Sequence, residues 1–260
     1  MLQRILACKR AQLAAEKKRC SFEALAQRLE VASPNSCRSL SDSLLQACPI
    51  GIIAEIKRAS PSKGVINGDL QAAYTAWAYE RAGATAISVL TDEEFFHGSG
   101  EDLIQARTAT NLPILRKDFV IDPYQVLQAR LWGADAVLLI VAALGPDELK
   151  RLLEYSSSLG LECLVEVHNE EEVYQALEAG AQMIGINNRN LADFTVSLDV
   201  TLRLRPLIPS GCVVISESGI RTGEDIRKIK DCGVDGILIG EALCSDSYPS
   251  QMLQKLLSLA

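Results

Sequence analysis

Histidine is nearly absent from this chain. His97 and His168 are the only two among 260 residues. Two histidines give poor support to a His-based metal site or a Ser-His-Asp relay, and His168, just past an apolar run, reads as a polar rim residue. Paired cysteines are missing too. The eight cysteines stand at 8, 20, 37, 48, 163, 212, 232 and 244, and none has Cys-x-x-Cys spacing. Most lie in apolar settings such as "LECLVEV", so they read as free, mostly buried thiols of a reducing, cytoplasmic compartment. Long apolar runs are also lacking. The longest, residues 136–144, falls short of the roughly 18 residues that span a bilayer, and no secretory pattern stands ahead of the first regular segment. A net charge of −7 argues against nucleic acid as a partner. The N-terminus runs against that balance. Arg4, Lys9, Arg10, Lys17, Lys18 and Arg19 face only Glu16, which reads as the solvated face of a helix rather than a transit peptide.

What is present is one pattern, repeated. A helical stretch ends in glycine, a small or apolar residue follows, and a β-rich run begins: "ERAGATAISVL", "RLWGADAVLLI", "SLGLECLVEV", "EAGAQMIGIN" and "DCGVDGILIG". Gly83, Gly133, Gly160, Gly180 and Gly233 fit left-handed C-terminal helix caps. Helix, glycine, buried strand is the grammar of βα units on a parallel sheet. Eight strands are predicted near 50–57, 84–90, 112–117, 134–140, 161–167, 182–187, 212–217 and 236–240. Amphipathic helices are predicted over 69–82, 122–132, 146–159 and 222–231, with Asp122 as an N-cap before Pro123. Eight units in about 210 residues match an α/β (β/α)8 TIM barrel. The competing doubly wound sheet usually carries Gly-x-Gly-x-x-Gly after its first strand, where this chain has "KRASPSKG". Residues 1–260 read as one barrel domain. Within it, 1–48 form a helical extension packed on the barrel, with Leu2, Ile5, Leu6 and Leu13 on its first apolar face.

Strand alternation allows the mouth of the barrel to be read as a ring. The last inward residue of each strand gives Lys57, Leu90, Lys117, Ile140, Glu166, Asn187, Glu217 and Gly240, with Glu55 one layer below Lys57. In "ILRKDFV" this sends Lys117 inward and Arg116 outward, to helices or solvent. Two lysines and two glutamates converging on one mouth are poor stability devices, because buried ion pairs often fail to offset their desolvation. They read as acid–base groups. Lys117, beside Asp118 and near Glu166, is expected to stay charged. Glycines after strands seven and eight, Gly219 in "SESGI" and Gly240 in "LIGEA", fit the usual phosphate site of this fold, with the Ser60 and Ser218 hydroxyls nearby.

The motifs "AEIKRASPSKG", "SVLTDEEFFHGS", "ILRKDFVID", "LVEVHNEEE", "IGINNRNL", "SESGI" and "LIGEAL", with the opening "LQRILACKR", span essentially the whole chain. Together they resemble the indole-3-glycerol-phosphate synthases of tryptophan biosynthesis. The resemblance implies a carboxy-lyase that converts 1-(2-carboxyphenylamino)-1-deoxyribulose 5-phosphate to indole-3-glycerol phosphate, CO2 and water, with no metal or organic cofactor. It implies Lys117 as general acid at the C2′ carbonyl and Glu166 as acid–base group. Lys57 becomes a second cation paired with Glu55, and Asn187, Glu217 and Ser218 orient substrate. Arg189 is matched to the anthranilate carboxylate. Phe96, Leu115, Phe119, Leu138 and Ile140 are matched to the aryl pocket, where they serve equally as plain core. Glu241 is expected to turn its side chain away from the phosphate that Gly240 receives. The expected partner is a small phosphorylated molecule, with neither nucleic acid nor membrane, for a monomer or weak oligomer. Three readings compete: a Schiff-base aldolase using Lys117, another phosphate-binding barrel such as phosphoribosylanthranilate isomerase, and a barrel kept only as a binding subunit.

Overall fold

The structure, a computed structural model, describes residues 1–32, 36–190 and 193–259. Leu191, the last residue of "IGINNRNL", lies outside them. Three helices come first: α1 (Leu2–Arg19), α2 (Phe22–Ala32) and α3 (Leu40–Leu45). Eight parallel strands follow: β1 (Gly51–Ile56), β2 (Ala86–Leu90), β3 (Ile114–Lys117), β4 (Ala136–Ile140), β5 (Glu162–Val167), β6 (Met183–Asn187), β7 (Val213–Glu217) and β8 (Gly236–Ile239). They close in sequence order, β1 pairing with both β2 and β8. The open doubly wound sheet is thereby excluded. Among the described residues no helix is long and apolar enough to cross a membrane.

The punctuation works as its chemistry requires. In α7 (Pro123–Trp132), counting α4 (Ala72–Arg81), α5 (Glu93–Phe96) and α6 (Gly100–Ala109) before it, the Asp122 side chain accepts from Tyr124 N. Pro123 occupies the first turn, and Gly133 closes the helix at φ 89°. A Cβ in that left-handed conformation is strained. The other four cap glycines also have positive φ.

Two apolar layers hold the barrel. The outer one packs alternate strand residues such as Ile52, Ile87, Val137 and Val165 against the helices. The inner one stacks Ile53, Leu115, Leu138, Leu164 and Ile215 inside the barrel, and Leu40 and Leu44 of α3 close its base. A Cβ on Gly51 would stand 2.5 Å from Leu44 Cδ2, so the bare glycine admits the plug. Arg116 does not reach solvent. It is buried outside the barrel wall, donating to Asp118 and the Gln125 carbonyl beneath the Trp132 ring. The thiols are less buried than their sequence settings suggest. Only Cys244 is fully buried, and Cys8 and Cys48 are exposed. Burial pushes the Cys163 and Cys244 thiols up to about 11, which makes both poor nucleophiles.

Candidate active site

The strand register assembles the mouth. Leu90 pairs with Lys117, Ile140 with Glu166, and Asn187 with Glu217, so three neighbouring strand pairs end in one layer. All eight rim residues read from the alternation line a single cavity of about 1250 Å³, its open mouth included. Ser60, Phe96, Phe119, Leu138, Arg189, Ser218, Gly219 and Glu55 line it as well. Leu115 does not. It is fully buried in the inner core, a layer below the floor, because it sits two residues before the strand end.

Lys117 Nζ is 2.8 Å from Glu166 and 2.7 Å from Glu217. Burial opposes its charge, but these two carboxylates, with Glu55 beyond them, outweigh that and hold its pKa above the ordinary lysine value. Asp118 takes no part in this. Its carboxylate turns to the other side of the strand, to Arg116 and Lys9. Lys57 pairs with Glu55 at 2.5 Å.

The two glutamates beside Lys117 have opposite proton affinities. Burial pushes both upward. At Glu166 the charges of Lys117 and His168 overcome burial, so this carboxyl is held well below its usual range. Glu166 also accepts from Asn187 at 3.1 Å. At Glu217 burial wins with help from the negative charge of Glu166, and the pKa rises to about 7. Neighbouring carboxyls driven apart in this way are the mark of separate acid–base duties. His168 stands behind Glu166, its Nε2 3.3 Å from that carboxylate and its Nδ1 2.9 Å from Glu172. Desolvation is overcome by the two carboxylates, and the imidazole is raised to about 10. His168 thus bridges charges rather than standing idle on the rim.

The raised Glu217 has a consequence for stability. Its folded state holds the proton more tightly than an unfolded chain does. Its contribution to stability is therefore whole below about 4.5 and lost as pH rises through about 7. Glu217→Gln, neutral at every pH, is expected to melt on the order of 5 °C above the wild type at pH 8 and level with it at pH 4. Thermal denaturation at the two pH values checks this; an equal shift at both would show that the proton is not responsible.

Two glycines make room for these charges. A Cβ on Gly185 would stand 2.2 Å from Glu217 Oε1, and one on Gly240 would stand 2.0 Å from Glu55 Oε1 and 2.9 Å from Lys57 Nζ. Gly240 thus has a packing use apart from the phosphate contact expected of it. Gly240→Ala is expected to fold normally while losing about 10²-fold in turnover, since displacements of an ångström cost that much. Melting temperature measured beside steady-state rates tests the pair.

On the far side of the mouth, Arg189 donates to Glu241 at 3.0 Å and Arg221 donates to it at 2.9 Å. Glu241 lines the cavity rather than turning out of it, and the arginines compensate its charge. Arg189 is committed here, towards the glycine loops, and not towards the aromatic wall. Ser218 adopts a left-handed φ of 66° ahead of Gly219 at 83°, a strained backbone of the kind found at functional sites. The opposite wall is apolar, with the Phe96 and Phe119 rings 6.2 Å apart above Leu138 and Ile140. The N-terminal helix completes it. Met1, Leu2 and Ile5 line the same cavity, a contribution no strand-end reading could supply. Among the described residues no group of three His, Cys, Asp or Glu side chains is placed to hold a metal ion.

Comparison with known proteins gives the family and the fold. Residues 2–256 match the family described as indole-3-glycerol phosphate synthase. A protein of that name from Dehalococcoides mccartyi is 51% identical over 216 residues, covering 82% of this chain and 83% of its own. Another, from Parafrankia sp., is 45% identical over 258 residues, covering 99% and 95%. Among solved structures, thiamine phosphate pyrophosphorylase from Pyrococcus furiosus superposes with a TM-score of 0.61 at 18% identity, over 85% of this chain and 97% of that one. A mandelate oxidase gives 0.60, also at 18%, over 80% and 71%. At that identity the likeness is one of fold.

Proposed function

Because the chain belongs to the indole-3-glycerol phosphate synthase family and so carries a carboxy-lyase activity of tryptophan biosynthesis on a small phosphorylated substrate, we propose that Lys117, Glu166 and Lys57 divide its proton transfers. The observation that carries the reading is the Lys117 ammonium, seated between two carboxylates in a cavity with an aromatic wall on one side and the Gly219 and Gly240 loops on the other.

The chemistry assigns the parts. The aryl carbon bearing the carboxylate of 1-(2-carboxyphenylamino)-1-deoxyribulose 5-phosphate attacks the C2′ carbonyl. The carbonyl oxygen takes a proton from Lys117 as the new C–C bond forms. Loss of CO2 returns its bonding pair to the ring and restores aromaticity. The C2′ hydroxyl then leaves as water with a proton from Lys57. Glu166, ionised at rest, removes a proton from C1′, and the C1′=C2′ bond completes the indole. Glu217, titrating near 7, and Asn187 hold Lys117 and Glu166 in place. The aryl ring lies against Phe96, Phe119, Leu138 and Ile140, over Leu115. The phosphate lies at Gly219 and Gly240 with Ser218 and Ser60. Arg189, once released from Glu241, remains the candidate for the anthranilate carboxylate. A lysine held this firmly protonated suits proton donation and not the neutral-amine attack of an aldolase. The reading makes the chain one functional unit, a monomer or weak oligomer of the cytoplasm, where isolated thiols stay reduced.

Fluorescence of indole-3-glycerol phosphate formed from the synthetic substrate tests the proposal. Turnover by the purified chain is the expected result, and no product under any buffer condition would end it.

A further inference from the structure

α1 holds a lysine in an unusual place. The Lys9 side chain is 2% exposed, although it belongs to a basic segment whose other cations meet solvent. Its ammonium reaches Asp92 at 2.7 Å, Asp118 at 2.8 Å and Gln12 at 3.2 Å, so all three donors are used. Burial opposes the charge, yet the two aspartates raise its pKa above the ordinary value. Each aspartate also grips the backbone of an aromatic loop. Asp92, the N-cap of α5, accepts from Phe95 N at 2.8 Å, and Asp118 accepts from Phe119 N at 2.8 Å. Phe96 ends α5, and its ring meets the Phe119 ring.

We propose that Lys9 is a positioning residue for substrate, clamping the loops after β2 and β3 so that Phe96 and Phe119 form a fixed wall for the substrate's aryl ring. The inference rests on the synthase reading for the identity of that ring. The clamp is asymmetric. Asp118 is also held by Arg116 and Thr91, whereas Lys9 is the cation that faces Asp92. Loss of Lys9 would leave Asp92 buried without an ion-pair partner among the described residues, and an uncompensated buried carboxylate protonates or moves. Phe96 therefore shifts more than Phe119. Lys9 touches neither Lys117 nor Glu166, so the proton transfers keep their geometry.

The test separates ring binding from chemistry and from general stability. In Lys9→Met, KM and the dissociation constant of indole-3-glycerol phosphate, read by its fluorescence, are expected to rise about tenfold. That is the scale of a lost methylene contact in an apolar pocket. kcat is expected to stay within about twofold, and the inhibition constant of inorganic phosphate to stay unchanged. Leu13→Ala is the control. Leu13 is buried on the same helix against Leu25, Tyr124 and Leu127, away from the cavity, and should lower the melting temperature without raising KM. Should Lys9→Met fail to fold, Asp92→Asn decides. It keeps the cap on Phe95 but weakens the tie to Lys9, and should raise KM about threefold with kcat within about twofold. Unchanged KM and product affinity in the variant that folds would overturn the proposal, as would a matching KM rise in Leu13→Ala. Wild-type turnover is scored separately: its absence defeats the synthase reading, whereas its presence with an indifferent Lys9 defeats only the clamp.

Discussion

Lys117→Ala is expected to reduce kcat by about 10³–10⁴-fold, the upper part of the range for a placed general acid, with KM changed far less. Two losses combine. The proton for the C2′ oxygen disappears, and the cation between Glu166 and Glu217 disappears with it. Two buried carboxylates left facing each other cannot both stay ionised, so Glu166 loses part of its capacity as a base. Lys117→Arg separates the two effects. A guanidinium keeps the charge and can bridge both carboxylates, but it does not release a proton at any working pH. If proton donation is the essential service, Lys117→Arg should be nearly as inactive as Lys117→Ala. If Lys117→Arg retained a tenth or more of wild-type turnover, charge alone would suffice and the assignment of the general acid would fail. Added methylammonium should restore part of the rate to Lys117→Ala and none to Lys117→Arg, whose side chain fills the space.

The rim was legible in the sequence because a barrel converts strand alternation into position. Once the ends of the apolar runs are located, a period of two places Lys57, Lys117, Glu166, Asn187 and Glu217 in one mouth, and all five line one cavity. What alternation cannot supply is depth and direction. Leu115 has the right parity but lies one layer too low. Asp118 follows Lys117 in sequence, yet its carboxylate is engaged by Arg116 and by Lys9 of the N-terminal helix, a partner that strand parity does not name. The spaces at Gly185 and Gly240 exist only because side chains from other strands need them. Arg189 pairs with Glu241, which lies 52 residues further along the chain. Lys9 did carry a signal. It sits four residues after Ile5 and four before Leu13, on the stripe of α1 that is buried, where a solvated lysine has no place. Net basic charge in the segment concealed that spacing.

Glu166→Gln is expected to lower indole formation by about 10²–10³-fold while leaving the earlier steps faster than the last. Glutamine preserves the shape and still accepts from Asn187 and Lys117, so Lys117 stays in place and still protonates the ketone. What it cannot do is accept the C1′ proton. Released CO2 and indole fluorescence should therefore part company in a single turnover, CO2 appearing first and fluorescence lagging. Equal slowing of both would move Glu166 to the ring-closure step. The substitution also tests the electrostatics independently of the chemistry. Burial is the largest cause that lifts Glu217 to about 7, and the negative charge of Glu166 comes next, ahead of that of Glu55. Without the Glu166 charge, and with Lys117 now paired to Glu217 alone, the Glu217 carboxyl should ionise at lower pH. The wild-type loss of stability as pH rises through about 7 should shift downward in Glu166→Gln. A pH-melting profile identical to the wild type would mean that the two carboxyls are not coupled through Lys117, and the division of labour between them would have to be assigned anew.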